Sequence, residues 1–233
     1  IWNRKIIWRL RVSVTPWSFS RLKAFEQCPR QFFHLKIAKD YQEKVSEAMM
    51  YGTKAHLVAE EYIRDGKPIP KPFAYMEGPL QALSNKRGNK FTEMRLGLTA
   101  ELKPCKFNSK DVWFRGIVDL VIIRDHKAWI VDYKTGKNPQ NADKGQLELM
   151  ALAIFKYFPF VEDISAGLLF TVKKVFITST YHIDDSEALW KNWKERHNRM
   201  KMAVKSNVWN AHPSGLCYRH CPVVECVYNG ANR

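Results

Sequence analysis

Apolar residues recur at helical spacing from Ser18 to Ala38, where Leu22, Phe25, Phe32, Phe33 and Leu35 mark one face behind a Ser18 or Ser20 cap. The spacing predicts a second helix from Glu47 to Arg64, stopped by Asp65-Gly66, then a proline-rich connector from Lys67 to Pro72. A short helix is expected from Pro79 to Ser84. The period then changes to two. Thr92 to Leu102, with Glu93 at its start, reads as a strand, as do Val112–Ile123 and Ala128–Tyr133 on either side of the polar turn Arg124-Asp125-His126-Lys127. Ala142 to Phe158 reads as a buried helix, Ala166–Val175 and Phe176–His182 as two more strands. A last helix, capped by Asp184 or Ser186, ends near Asn207. Helices, a strand meander, a helix, two strands and a helix predict an α/β domain with a mixed central sheet.

The chain has 233 residues, 45% of them hydrophobic and 13% aromatic, enough for a sizeable core and against global disorder. We read it as one domain: N-terminal helices over 17–66, a sheet core over 90–183, and a C-terminal helix with a cysteine cluster over 184–233. No apolar run approaches the roughly 20 residues of a membrane span, and the N-terminal alternation lacks a signal-peptide core. A membrane partner and secretion are therefore not expected. Five cysteines without a secretion signal point to reduced thiols or a metal site.

Charge sharpens the picture. The net charge is +15, which favours a polyanionic partner, nucleic acid first. Residues 1–39 hold nine bases and one acid, residues 191–233 eight bases and two acids, and the middle is nearly neutral. On the last helix Leu189, Trp190, Trp193, His197, Met200 and Val204 read as core. Lys191, Lys194, Arg199, Lys201 and Lys205 form the opposite, solvated face, which suits a phosphate backbone. Trp2, Trp8 and Trp17 lie among Arg4, Lys5, Arg9 and Arg11, a pattern that fits single-strand binding and a basic edge strand equally.

Val131-Asp132-Tyr133-Lys134 carries the most chemical information. On a strand, Asp132 and Lys134 share a face and Tyr133 points away. A carboxylate holds a hard divalent cation, and an ammonium beside it positions water or steadies phosphoryl charge. The same pair also serves as a surface ion pair. Gly116-Ile117-Val118-Asp119 lies on the preceding strand, within reach of the same ion. Gly52-Thr53-Lys54-Ala55-His56 places an imidazole on the second helix. Glu93 is a further candidate ligand, and Gln146, opening the helix after Lys134, can bond a phosphate or orient the lysine.

This ordered set of His56, Glu93, Asp119, Asp132-Tyr133-Lys134 and Gln146 resembles the PD-(D/E)xK nuclease superfamily, and within it the RecB-like branch of phage exonucleases and CRISPR-adaptation nucleases. Trp17-Ser18-Phe19-Ser20-Arg21-Leu22, followed by Cys28-Pro29-Arg30, is similar to that branch's first helix. The resemblance implies a restriction-endonuclease-like core and a Mg²⁺ or Mn²⁺ ion held by His56, Asp119, Asp132 and the Tyr133 carbonyl. It makes Lys134 the catalytic lysine, Glu93 an auxiliary acid and Gln146 an organiser. The branch often carries tyrosine where this chain has Met150. Arg21, Arg30, Lys191, Lys194 and Lys201 are expected to contact nucleic acid.

Cys217, Cys221 and Cys226 crowd together, while Cys28 sits in the first helix. The iron–sulfur members of the RecB-like branch distribute their cysteines this way, so the resemblance implies a 4Fe–4S cluster on all four. Structural zinc on three of the cysteines, completed by Cys28 or His220, is the alternative. Such a metal would staple the N-terminal helix to the C-terminal tail. Cys105 reads as a spare buried thiol.

The resulting expectation is a metal-dependent DNA exonuclease acting at a free end, cytoplasmic in a bacterial or phage-infected cell, as a monomer, a homo-oligomer or beside a recombination partner protein. The alternative is a DNA-binding nuclease-fold subunit of a larger complex.

Overall fold

The computed structural model describes residues 16–43 and 45–232. The proposed basic–aromatic segment with Trp2, Trp8, Arg4, Lys5, Arg9 and Arg11 lies outside the described residues. The chain divides into two compact units, one of residues 45–191, the other built from the chain ends up to Lys44 and from Asn192 onward.

The first unit carries a six-stranded sheet: β1 (Asn89–Leu98), β2 (Pro104–Cys105), β3 (Phe114–Arg124), β4 (Lys127–Lys134), β5 (Asp163–Phe170) and β6 (Val175–His182). Its spatial order is β2-β1-β3-β4-β5-β6. All pairings are antiparallel except β4 with β5, which is parallel and needs a crossover. Helix α5 (Gly145–Tyr157) supplies it and packs across β3, β4 and β5.

On the opposite face lie α3 (Glu47–Asp65) and α4 (Glu77–Asn85). Ala55 and Ala59 of α3, with Met76 and Leu80, bury against Leu120, Ile122, Val131, Tyr133 and Leu169. The small alanines bring the α3 backbone close to the sheet, and this closeness later places His56. Ser46 caps α3 by accepting from the Met49 N–H at 3.2 Å, and Gly66 ends it in the left-handed region at φ +68°. This is the mixed sheet flanked by helices that the hydrophobic pattern implies, a restriction-endonuclease-like fold.

In the unit of the chain ends, the expected continuous helix over Ser18–Ala38 is broken. Helix α1 (Phe19–Gln27) starts on Ser18, whose hydroxyl accepts from the Arg21 N–H at 3.3 Å. It stops at Cys28, which is extended (φ −163°, ψ 104°) because Pro29 disfavours helical backbone in the residue before it. Helix α2 (Pro29–Phe32) follows, and Phe33–Ala38 then winds as a π-helix. The C-terminal part of α6 (Ser186–Ser206) belongs to this unit. Arg196 grips Glu26 of α1 through two bonds of 2.7 and 2.6 Å, and the Arg30 N–H donates to the Asn210 carbonyl at 3.2 Å. A short helix α7 (Leu216–Arg219) leads into the last cysteines.

Further boundaries move. The strand expected over Ala166–Val175 is β5 from Asp163 to Phe170, followed by a turn that uses Lys174 at φ +54°. β1 ends at Leu98, and the pattern gave no sign of the two-residue β2. α5 begins at Gly145, where Asp143 accepts the Gly145 N–H at 2.9 Å, not at Ala142. Among the described residues no helix is long and apolar enough to cross a membrane.

Candidate metal centre

β3 and β4 form a hairpin whose paired register ends at Leu120 with Val131. One position further, Asp119 faces Asp132. The ladder stops there because the Asp119 carboxylate replaces a backbone acceptor: its Oδ2 takes the Tyr133 N–H at 2.7 Å. Tyr133 turns its ring into the core beneath α3, and its carbonyl oxygen is 2.9 Å from His56 Nε2. His56 Nδ1 lies 3.3 Å from Asp119 Oδ2.

Glu93 joins them from β1. It lies inside that strand, with φ at +47°, a left-handed conformation costly for a residue with a side chain. Its carboxylate converges with His56 and Asp119, the three ligand atoms lying within 4.8 Å of one another. One nitrogen and hard carboxylate oxygens, with the Tyr133 carbonyl alongside, suit Mg²⁺ or Mn²⁺.

Asp132 stands outside that convergence. Its Oδ2 pairs with Lys134 Nζ at 2.6 Å, and its Oδ1 accepts from Gln146 Nε2 at 2.6 Å. Gln146 in turn accepts from Lys134 Nζ at 3.0 Å, so an acid, a lysine and an amide close a ring. Lys134 is one-third exposed and Asp132 almost fully buried. Tyr133 presents its carbonyl to His56, and Met150 lies buried in α5.

The electrostatics favour a cation. Burial and the Asp119 charge push the Asp132 carboxyl up to about 6, although Lys134 opposes them. Burial, then Asp119, raise Glu93. Burial works against a charged His56, but the bond to Asp119 and the nearby acids outweigh it, and its proton is held more tightly than usual. Three carboxylates and too little compensating positive charge make a site that a divalent ion relieves. The residues present fit such an ion.

The other expected residues are placed as follows. Cys28 Sγ accepts from the His212 N–H at 3.4 Å, and Cys217 Sγ from the Ser214 N–H at 3.4 Å. Burial raises the Cys221 thiol, and the charges of Cys217 and Cys28 act on it in the same direction. Cys226 is buried. Among the described residues the four sulfurs do not converge within the 4.8 Å seen for His56, Glu93 and Asp119. Cys105 is half-buried in β2, away from any such group, and burial raises its thiol. Lys191, Lys194 and Lys201 are exposed along α6, whereas Trp190, Trp193, His197 and Met200 are buried. Arg30 is half-buried, and Arg21 lays its guanidinium over the Phe32 ring at 5.2 Å.

No curated protein matches the chain. A solved structure, "Crystal structure of SSO0001", is similar at a TM-score of 0.37 and 12% identity, covering 79% of this chain and 77% of that one. A family model for the PD-(D/E)XK nuclease superfamily matches residues 16–90 and 74–226. Those stretches take in His56, Glu93 and Asp119, which converge, and Asp132, Lys134 and Gln146, which close the adjoining ring, and the chain belongs to the PD-(D/E)XK nuclease superfamily.

Proposed function

We propose that the protein is a divalent-metal-dependent deoxyribonuclease that hydrolyses phosphodiester bonds from a free DNA end. The observation that carries this reading is Lys134, held by Gln146 and Asp132 on the strand next to Asp119. His56, Glu93, Asp119 and the Tyr133 carbonyl would hold a Mg²⁺ or Mn²⁺ ion, which would supply Lewis-acid activation of water and of the phosphate. Asp132 has an oxygen to offer the same ion once Lys134 turns to substrate. Lys134 meets the charge that grows on the phosphate oxygens. Gln146 keeps the lysine aimed. Asp119 holds the N–H of Tyr133, the residue whose carbonyl faces His56.

A time course on end-labelled single- and double-stranded DNA with Mg²⁺ or Mn²⁺ tests this. Shortening from one end is expected in the wild type, with loss in Asp132→Ala and Lys134→Ala. Normal cleavage by both variants would overturn the assignment, and internal cuts would overturn its exonuclease part.

The reading extends to Cys28, Cys217, Cys221 and Cys226 as ligands of a 4Fe–4S cluster with a structural role. Two N–H groups aimed at sulfur support it, since such bonds stabilise cluster thiolates. A single zinc ion would draw its sulfurs to about 2.3 Å from itself, a tighter grouping than these four have. An anaerobic absorption band near about 400 nm is expected of thiolate-bound iron–sulfur. Its absence, with zinc in the purified protein, would reverse the choice.

A further inference from the structure

Arg95 and Arg115 approach the same aromatic ring. Their guanidinium carbons lie 5.7 and 5.1 Å from the Phe107 centroid. Among the described residues, neither arginine is within ion-pair distance of a carboxylate. Arg115 Nε is buried and makes no hydrogen bond among them. Asp111, the acid of the same loop, is bonded to the Ser109 hydroxyl. Two unneutralised cations drawn to one ring repel each other, and a buried N–H without an acceptor costs roughly 1–3 kcal/mol. An anion between them would answer both.

The register says where that anion would lie. Arg95 pairs with Ile117, and Gly97 with Arg115. Along β3 the positions Arg115, Ile117 and Asp119 alternate onto one face, so both arginines share the face of the Asp119 carboxylate. Arg115 lies four residues from Asp119, about 13 Å along the strand. Ile117, between them, is 40% exposed and leaves the lane open. The loop carrying Phe107 is pinned over this face: a Cβ on Gly97 would lie 2.9 Å from the Cys105 carbonyl oxygen, and Tyr157 Oη donates to that oxygen at 3.0 Å.

We propose that Arg95, Phe107 and Arg115 form a subsite for a nucleic-acid backbone phosphate flanking the bond to be cut. A guanidinium stacked on a ring keeps its in-plane N–H donors free, and phosphate oxygens match that fork. The inference rests on the nuclease reading of the neighbouring carboxylates and adds where the substrate strand runs.

Binding of a labelled single-stranded oligonucleotide without divalent metal tests it, because nothing is then cut. The Arg95→Gln/Arg115→Gln variant should bind at least about tenfold more weakly at low salt. The slope of log affinity against log salt should shrink by about 1.4, two contacts at about 0.7 each for a single strand. Phe107→Ala should weaken binding while leaving the slope unchanged. Thermal melting of each variant accompanies the measurement, and Arg115→Lys replaces Arg115→Gln if that change unfolds the protein; because it keeps the charge, the slope should then shrink by only about 0.7. Wild-type affinity and slope in the double variant overturn the subsite. So does displacement of the oligonucleotide by millimolar inorganic phosphate from the wild type alone, which would make the site one for free phosphate. The nuclease reading fails separately, if the wild type cuts no DNA with Mg²⁺ or Mn²⁺ even though the double variant has lost binding.

Discussion

Asp119 accepts the backbone N–H of Tyr133 at 2.7 Å, one position past the last paired rung of β3 and β4. The same carboxylate oxygen faces His56. A single side chain thus holds the N–H of the residue whose carbonyl bonds His56, and points its oxygen at the place a cation would occupy. Asp119→Asn keeps an acceptor for that N–H and removes the charge. The variant should melt close to the wild type, yet lose more than about 100-fold in cleavage, beyond the loss seen when only a supporting partner of a ligand is removed. Melting curves beside single-turnover rates check both halves.

Gln146 touches Lys134 and Asp132 and no other described side chain in its bonds. Gln146→Ala should lower kcat by about 10- to 100-fold, leave KM nearly unchanged and leave metal affinity within a few-fold. A large rise in KM with kcat intact would assign the amide to substrate instead.

Protons compete with the cation. Asp132 is pushed up to about 6, Glu93 is raised and His56 holds its proton more tightly than usual. Each must be deprotonated to serve as a ligand, so metal affinity should rise with pH through about 6, where Asp132 titrates, and go on rising past 6.5 until His56 has also lost its proton. Mn²⁺ titrations at pH 5, 6 and 7 should show roughly a tenfold gain across the first step. Equal affinity at the first two values would contradict the arrangement.

His197 runs the other way. It is buried in α6 and stacks on Trp17 at 5.1 Å, and burial, helped by the Lys201 charge, lowers it to about 4. The unfolded chain therefore takes up a proton at about pH 6.5 that the folded one refuses until about 4. Stability should be complete above that upper value and fall as pH drops through this window, by roughly 2–3 kcal/mol. His197→Phe should flatten this part of the stability–pH curve in denaturant titrations.

Two glycines make opposite predictions. A Cβ on Gly97 meets the Cys105 carbonyl oxygen at 2.9 Å, which is backbone and cannot turn aside. A Cβ on Gly167 meets the Phe176 ring at 2.3 Å, but that side chain is half exposed and can swing outward. Gly97→Ala should cost about 1–3 kcal/mol, an overpacking penalty, and Gly167→Ala less than about 1 kcal/mol. Chemical denaturation separates them.

The site was largely legible because its parts are local. Asp132 and Lys134 follow from strand alternation, and Asp119 from its place across one short turn. His56 could be named but not oriented, since only the packing of Ala55 and Ala59 on the sheet brings it to Tyr133. Glu93 could be named as a further candidate ligand, but its left-handed backbone leaves no trace in a period-two pattern. The break at Cys28 was written in Pro29, yet a run of phenylalanines outweighed it. Nothing along the sequence links Arg95, Phe107 and Arg115: they come from β1, β3 and the loop between them, and only the tertiary register joins them.

The turn at Asp125-His126 has a consequence for how the molecule forms. β3 and β4 pair around it from Arg124 with Lys127 outward. Hairpins close in about 1–10 microseconds, far ahead of the distant contacts that set folding rates. Asp119 and Asp132 thus meet early, before α5 can cross over and before Gln146 arrives to restrain the lysine. With neither partner in place the two carboxylates would sit side by side in water, and a divalent ion able to bind both would favour the paired strands over the open chain. The protein's future ligand would then act first as an aid to its own folding.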